Sequence, residues 1–150
     1  MPRSLGKLFA EPPEHGNRLF HLARLAKLDR PALPAIALTV DTSILTAASN
    51  DYGFKYVFSR QVEALALAQD VFIGLSTSGK SENIVEAFRT AKSRSMATFG
   101  LFGESGLREQ SLCDLPLIIP SASTMRIQEE QIFVLHLLVE LTEKLMFNRA

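Results

Sequence analysis

The sequence predicts an α/β protein: a three-layer, doubly wound parallel sheet flanked by helices. Three observations predict it. Short apolar runs at 34–40 (PAIALTV), 70–75 (DVFIGL), 96–101 (MATFGL) and 115–119 (LPLII) are long enough for buried strands and too short for helices. The runs are apolar nearly throughout rather than at alternate positions, as strands covered on both faces are. Segments with helical spacing lie between them, so strand and helix alternate along the chain.

Each element has its own warrant. Residues 6–10 suit a short strand, and Glu11-Pro12-Pro13 breaks it, because proline lacks a backbone donor and restricts the residue before it. Residues 14–28 carry Leu19, Leu22, Ala23, Leu25 and Ala26 at helical spacing, and Asp29-Arg30-Pro31 ends that helix. After the strand at 34–40, residues 43–48 suit a short helix closed by residues 49–53 (SNDYG). Phe54, Val57, Phe58, Val62 and Leu65 place a helix over 54–68. Ile84, Val85, Ala87, Phe88 and Ala91 place one over 81–93. Ile127, Ile132, Val134, Leu135, Leu138, Leu141 and Leu145 place a long terminal helix over 124–147.

Composition bounds the function. A chain of 150 residues, 47% apolar and 21% charged, is one globular domain. Sixteen basic residues balance sixteen acidic ones, which gives no electrostatic case for nucleic-acid binding or an anionic membrane surface. Cys113 is the one cysteine, so an internal disulfide framework is excluded and a reducing, cytoplasmic setting is expected. No apolar run reaches the roughly 18 residues that span a bilayer, and the first residues, MPRSL, lack the apolar stretch of a signal peptide. The apolar content is high for a small neutral chain. We expect the terminal helix to be buried against other copies, as a homo-oligomer.

The segment richest in chemistry is residues 75–81 (LSTSGKS), after a buried strand and before a helix. Ligands of open α/β sheets bind beyond the carboxyl ends of the strands. A helix N-terminus presents free N–H groups and partial positive charge. Ser76, Thr77, Ser78 and Ser81 add hydroxyl donors, and Gly79 lets the backbone turn closely. The pattern points to a phosphate site and is not a Walker loop. A plain helix cap at Ser81, with Glu82 in the first turn, is the structural alternative.

These blocks resemble a known family. DVFIGLSTSGKSENIVEAF is similar to the second phosphate loop of SIS (sugar isomerase) domains. PAIALTVDTSILTAASNDYGF, VFSRQVEALA and RIQEEQIFVLHLLVEL resemble the phosphoheptose (sedoheptulose 7-phosphate) isomerase branch. The resemblance runs in order over about 30–147 and leaves 1–29 divergent, so residues 1–150 are expected to form a single flavodoxin-like SIS domain, N-terminally shortened. It implies an isomerase that converts sedoheptulose 7-phosphate to D-glycero-D-manno-heptose 7-phosphate for heptose and lipopolysaccharide precursors. It implies that Ser76, Thr77, Ser78 and Ser81 hold the sugar phosphate, that Asn50 and Asp51 contact substrate, and that Gln128 binds substrate. His136 would be the acid/base. In zinc-dependent members Gln128 and His136 would also ligate the metal, with His21 as a further ligand. Tetramers or dimers are implied as well.

The residues themselves qualify these roles. Gln128 and His136 are eight positions apart on one helix, about 12 Å of rise. If both serve one site, the helix must bend or a neighbouring subunit must supply one. His136 on the polar edge of an apolar helix, Asp51 as a turn residue, and Arg126, Glu129 and Glu130 as a solvated face are the structural alternatives. The isomerisation needs a base poised near neutral pH, a group that helps the oxygens exchange protons, and a phosphate anchor. Histidine suits the first of these.

The front of the chain departs from the family. A glycine-rich Gly-Asn-Gly-Gly-Ser loop is expected after the first strand, and EPPEHGN stands there instead. His21-Leu22-Ala23-Arg24-Leu25 resembles the family's His-Phe-Ala-x-Glu, with no glutamate in place. A divergent non-catalytic sugar-phosphate binder, a fragment or altered copy of an isomerase gene with its first segment lost or replaced, and an active enzyme using, for example, Glu11 or Glu14 as base are the three competing explanations. The DnaA initiator-associating protein shares the fold and many of these blocks, so a scaffold that binds DnaA is an alternative; His136 favours the isomerase branch.

Overall fold

The computed structural model describes residues 8–10 and 33–147. The expected helix over 14–28, and with it His21, lies outside the described residues. Among the described residues five strands, β1 (Leu8–Ala10), β2 (Ala35–Ala37), β3 (Val71–Ser76), β4 (Ala97–Phe102) and β5 (Leu115–Ile118), form one sheet. Its order is β2-β1-β3-β4-β5 and every neighbouring pair is parallel. Chain order reverses between β1 and β3, which makes the carboxyl end of β3 the switch point where such sheets bind ligands.

Among the described residues four α-helices accompany the sheet: α1 (Thr42–Tyr52), α2 (Val57–Leu65), α3 (Glu82–Ser93) and α4 (Thr124–Phe147). Phe72 of β3 and Phe102 of β4 point to one face, where they pack with Val57, Phe58 and Val62 of α2 and Val85 and Phe88 of α3. Ile73, Leu75 and Leu101 point to the other face and pack against Val134, Leu135 and Leu138 of α4. Two-sided burial is why these strands read as continuous apolar runs. Each fully buried large side chain stabilises the fold by about 1.5–3 kcal/mol. The Phe88 ring meets Phe72 edge-on at 4.9 Å, fixing α3 against β3.

Two helix bounds differ from the expectation. The helix expected over 43–48 runs on to Tyr52. Asp41 caps its start by accepting from the Ile44 N–H at 3.0 Å. Asn50 Nδ2 donates to Asp51 Oδ1 at 3.0 Å, so these two side chains bond to each other and do not compete for the backbone. Asp51 therefore sits in a helix, and the turn begins at Gly53, whose φ of 91° ends α1. The helix expected over 54–68 is a 3-10 turn at Phe54–Tyr56 followed by α2, which stops at Leu65. The buried Asp70 carboxylate accepts from the Leu67 N–H at 2.9 Å and closes a turn there.

Candidate functional site

The 76–81 turn leaves β3 at the switch point. Ser76 is buried, and its Oγ accepts from the Gly79 N–H at 3.0 Å. Ser78 Oγ accepts from the Lys80 N–H at 3.2 Å. Ser81 is the N-cap of α3, but only through its backbone: its carbonyl accepts from Ile84 and Val85 N–H groups, each at 3.1 Å. Its hydroxyl makes no capping bond. The structural alternative for Ser81 thus fails at the side chain, which is exposed at the helix mouth. Thr77 is half-buried and Ser78 exposed beside it. Unpaired amides and the dipole of α3 favour an anion here by about 0.3–1 kcal/mol, and Glu82 in the first turn offsets part of that.

A second loop backs the turn. Gly79 has φ 64°, and a Cβ there would lie 1.6 Å from the Gly106 carbonyl oxygen. The Gly79 carbonyl accepts from the Arg108 N–H at 2.9 Å. A Cβ on Gly103 would lie 2.4 Å from the Thr77 carbonyl oxygen and 2.7 Å from Ile127 Cδ1. Ile127 is buried in the first turns of α4, immediately before the half-buried Gln128. Gln128 is thereby held on the same end of the sheet as the serine turn. Gln131, 2% exposed, donates from Nε2 to the Leu101 carbonyl at 2.9 Å and pins α4 to β4.

Sequence reasoning missed Gly103, Gly106 and Gln131. Gln131 did carry a signal, since it falls on the Ile127–Leu135–Leu138 side of the helix. A glycine's contacts are with atoms it lacks, and no residue pattern reports them.

The remaining candidates are not brought to the turn within one chain. Asn50 and Asp51 are exposed in the last turn of α1, and no hydrogen bond among the described residues joins them to residues 76–81. His136 is exposed two turns beyond Gln128 on the unbroken α4, about 12 Å further along the helix. No group of three His, Cys, Asp or Glu that could hold a metal occurs among the described residues. An ion held by both Gln128 and His136 of one chain would have to bridge about 12 Å of helical rise, and His21 lies outside the described residues. An open cleft of about 410 Å³ lies between α2 and α3, lined by Tyr52, Tyr56, Arg60, Glu63 and Arg94, and none of the candidate residues lines it.

No helix among the described residues is long and apolar enough to cross a membrane. Residues 18–103 match the SIS domain family model. The chain is 52% identical over 122 residues to the phosphoheptose isomerase of Trichlorobacter lovleyi, a match covering 81% of this chain and 62% of that protein. It is 51% identical over 122 residues to that of Clostridium acetobutylicum, with the same coverage. The chain thus spans about three-fifths of the length of these relatives. The solved structure of a phosphoheptose isomerase from Francisella tularensis superposes with a TM-score of 0.77 at 35% identity, covering 90% of this chain and 75% of that one. One from Neisseria gonorrhoeae gives 0.73 at 40% identity, covering 91% and 76%. With a hydroxyl-rich turn at the switch point of a 2-1-3-4-5 sheet, the chain belongs to the SIS domain family, in its phosphoheptose isomerase branch.

Proposed function

We propose that the protein is a cytoplasmic sugar-phosphate aldose–ketose isomerase acting on sedoheptulose 7-phosphate to give D-glycero-D-manno-heptose 7-phosphate. One observation carries this reading: the uncommitted Ser81 hydroxyl stands at the N-terminus of α3, beside Thr77 and Ser78, at the switch point of the sheet. Phosphate oxygens accept from these hydroxyls and from the first amides of α3. Gln128, held on the same end of the sheet, contacts the sugar. Proton transfer between the two adjacent carbons falls to His136, with Asn50 and Asp51 orienting the hydroxyls.

His136, Asn50 and Asp51 reach the sugar from a second copy of the chain. Support comes from α4, which leaves Phe133, Leu137, Leu141 and Leu145 exposed at 62%, 41%, 44% and 83%. That apolar stripe, repeating every four residues, is what a helix buried between copies carries. Sedimentation of the wild type should give a dimer or tetramer, and Leu141→Glu should shift it toward the monomer. Zinc enters no step here. Metal analysis of the purified protein tests whether His21, Gln128 and His136 of assembled copies hold it.

The test of activity is direct conversion of sedoheptulose 7-phosphate, followed by product, in wild type and in His136→Ala. Turnover in the first and its loss in the second supports the isomerase. Binding without turnover in the wild type supports the second reading, a non-catalytic sugar-phosphate binder. The separation of His136 from Gln128 along α4 favours that second reading if the protein is monomeric.

A further inference from the structure

We propose that Gly103 is a positioning residue for the phosphate turn, setting the spacing between Thr77 on that turn and the start of α4. The inference rests on the phosphate reading above and deepens it.

Gly103 follows β4 and is buried. Two different groups press on it. The Thr77 carbonyl oxygen would be 2.4 Å from a Cβ, and Ile127 Cδ1 would be 2.7 Å away. Both are below the 3.0 Å that real Cβ contacts essentially respect. Gly103 is not among the glycines with positive φ, so its backbone is one that alanine adopts without strain. A methyl there acts through contact alone, unlike one at Gly79.

The two contacts differ in kind. Ile127 Cδ1 is the end of a flexible side chain and can rotate away. The Thr77 oxygen is backbone, and it shares a rigid peptide plane with the Ser78 N–H. Moving that oxygen re-aims the Ser78 amide and swings the hydroxyls of Thr77 and Ser78. The absence of a side chain at Gly103 lets the phosphate turn and α4 sit this close.

The test uses Gly103→Ala and the double variant Gly103→Ala/Ile127→Val. Valine removes Cδ1, relieving the contact with α4 and leaving the one with Thr77. For each protein, affinity for sedoheptulose 7-phosphate is measured by titration and melting temperature by scanning. Displacements of this size at a reacting or binding group cost about tenfold to a hundredfold. We expect Gly103→Ala to lose at least about tenfold in affinity. The double variant should recover at most part of the lost melting temperature, because the Thr77 contact remains, while affinity stays low. If Gly103→Ala does not fold, the double variant is compared with Ile127→Val. Unchanged affinity in Gly103→Ala, or affinity and stability restored together by Ile127→Val, overturns the proposal and makes Gly103 a packing residue. A wild type that binds no sugar phosphate removes the phosphate reading and this inference with it.

Discussion

The carbonyl oxygen of Gly106 lies 1.6 Å from the point that a Cβ on Gly79 would occupy. Two loops that follow different strands are thus in backbone contact at the switch point, and only the absence of a side chain allows it. Gly79→Ala should cost the strain of a left-handed residue, about 1–3 kcal/mol, and the contact in addition. Gly53→Ala is the control, because Gly53 also has positive φ, 91°, and meets nothing within 4 Å. Urea denaturation should show Gly79→Ala clearly less stable than Gly53→Ala. Equal losses would mean the two loops do not constrain each other.

Ser81→Ala separates cap from ligand. A working side-chain cap is worth about 1 kcal/mol, but the Ser81 hydroxyl makes no capping bond. The variant should therefore keep its stability to within a few tenths of a kcal/mol. Its affinity for sugar phosphate should fall by about 1.5–3 kcal/mol, the worth of a hydrogen bond to a charged group. A stability loss with affinity unchanged would reverse the assignment.

Asp114 gives a pH signature. Lys92, then the Thr98 hydroxyl and N–H, hold its carboxyl below the usual carboxylate value of 3.8. A lowered folded-state value means the stabilisation is full above 3.8, the unfolded-state value, and is lost as pH falls through the folded-state value. Asp114→Asn should therefore be less stable than wild type near neutral pH, by about 1 kcal/mol or less for so exposed a group. The difference should shrink in acid, below the usual carboxylate range. Melting curves at neutral and acid pH check this; a gap that widens in acid would contradict it.

Cys113 is buried under β4, and burial pushes its thiol up to about 11. The thiolate is the reactive form. A disulfide-exchange reagent at mildly alkaline pH should leave the folded protein unlabelled and react fully once it is denatured. Rapid labelling of the folded chain would place Cys113 outside the core.

The sequence made the sheet and the serine turn legible, and much less of what surrounds them. The bounds of α4 at Thr124 and Phe147 match the expectation, and β3 and β4 lie within a residue of theirs, because two-sided burial writes itself as continuous apolar runs; β5 also lies within a residue of its expected bounds, although as the edge strand it leaves Leu115 and Ile118 exposed. The last turn of α1 was hidden because Ser-Asn-Asp reads locally as a turn, whereas the chain stays helical to Tyr52 and the Gly53 N–H closes that turn on the Ser49 carbonyl at 3.1 Å. Gly103 was hidden because its partners, Thr77 and Ile127, come from other parts of the chain. The family resemblance named Gln128 and His136 as one site, and the helical rise between them is what sets them apart within a single chain.

Sugar-phosphate binding by the 76–81 turn underlies every functional role proposed above. It is tested most directly by melting the wild-type protein with sedoheptulose 7-phosphate and, separately, with unphosphorylated sedoheptulose. At a hundredfold excess over the dissociation constant, a ligand bound only to the folded state adds about 2.7 kcal/mol. A concentration-dependent rise in melting temperature is expected with the phosphate ester and none with the free sugar. No rise with the ester at millimolar concentration, or equal rises with both, would contradict it.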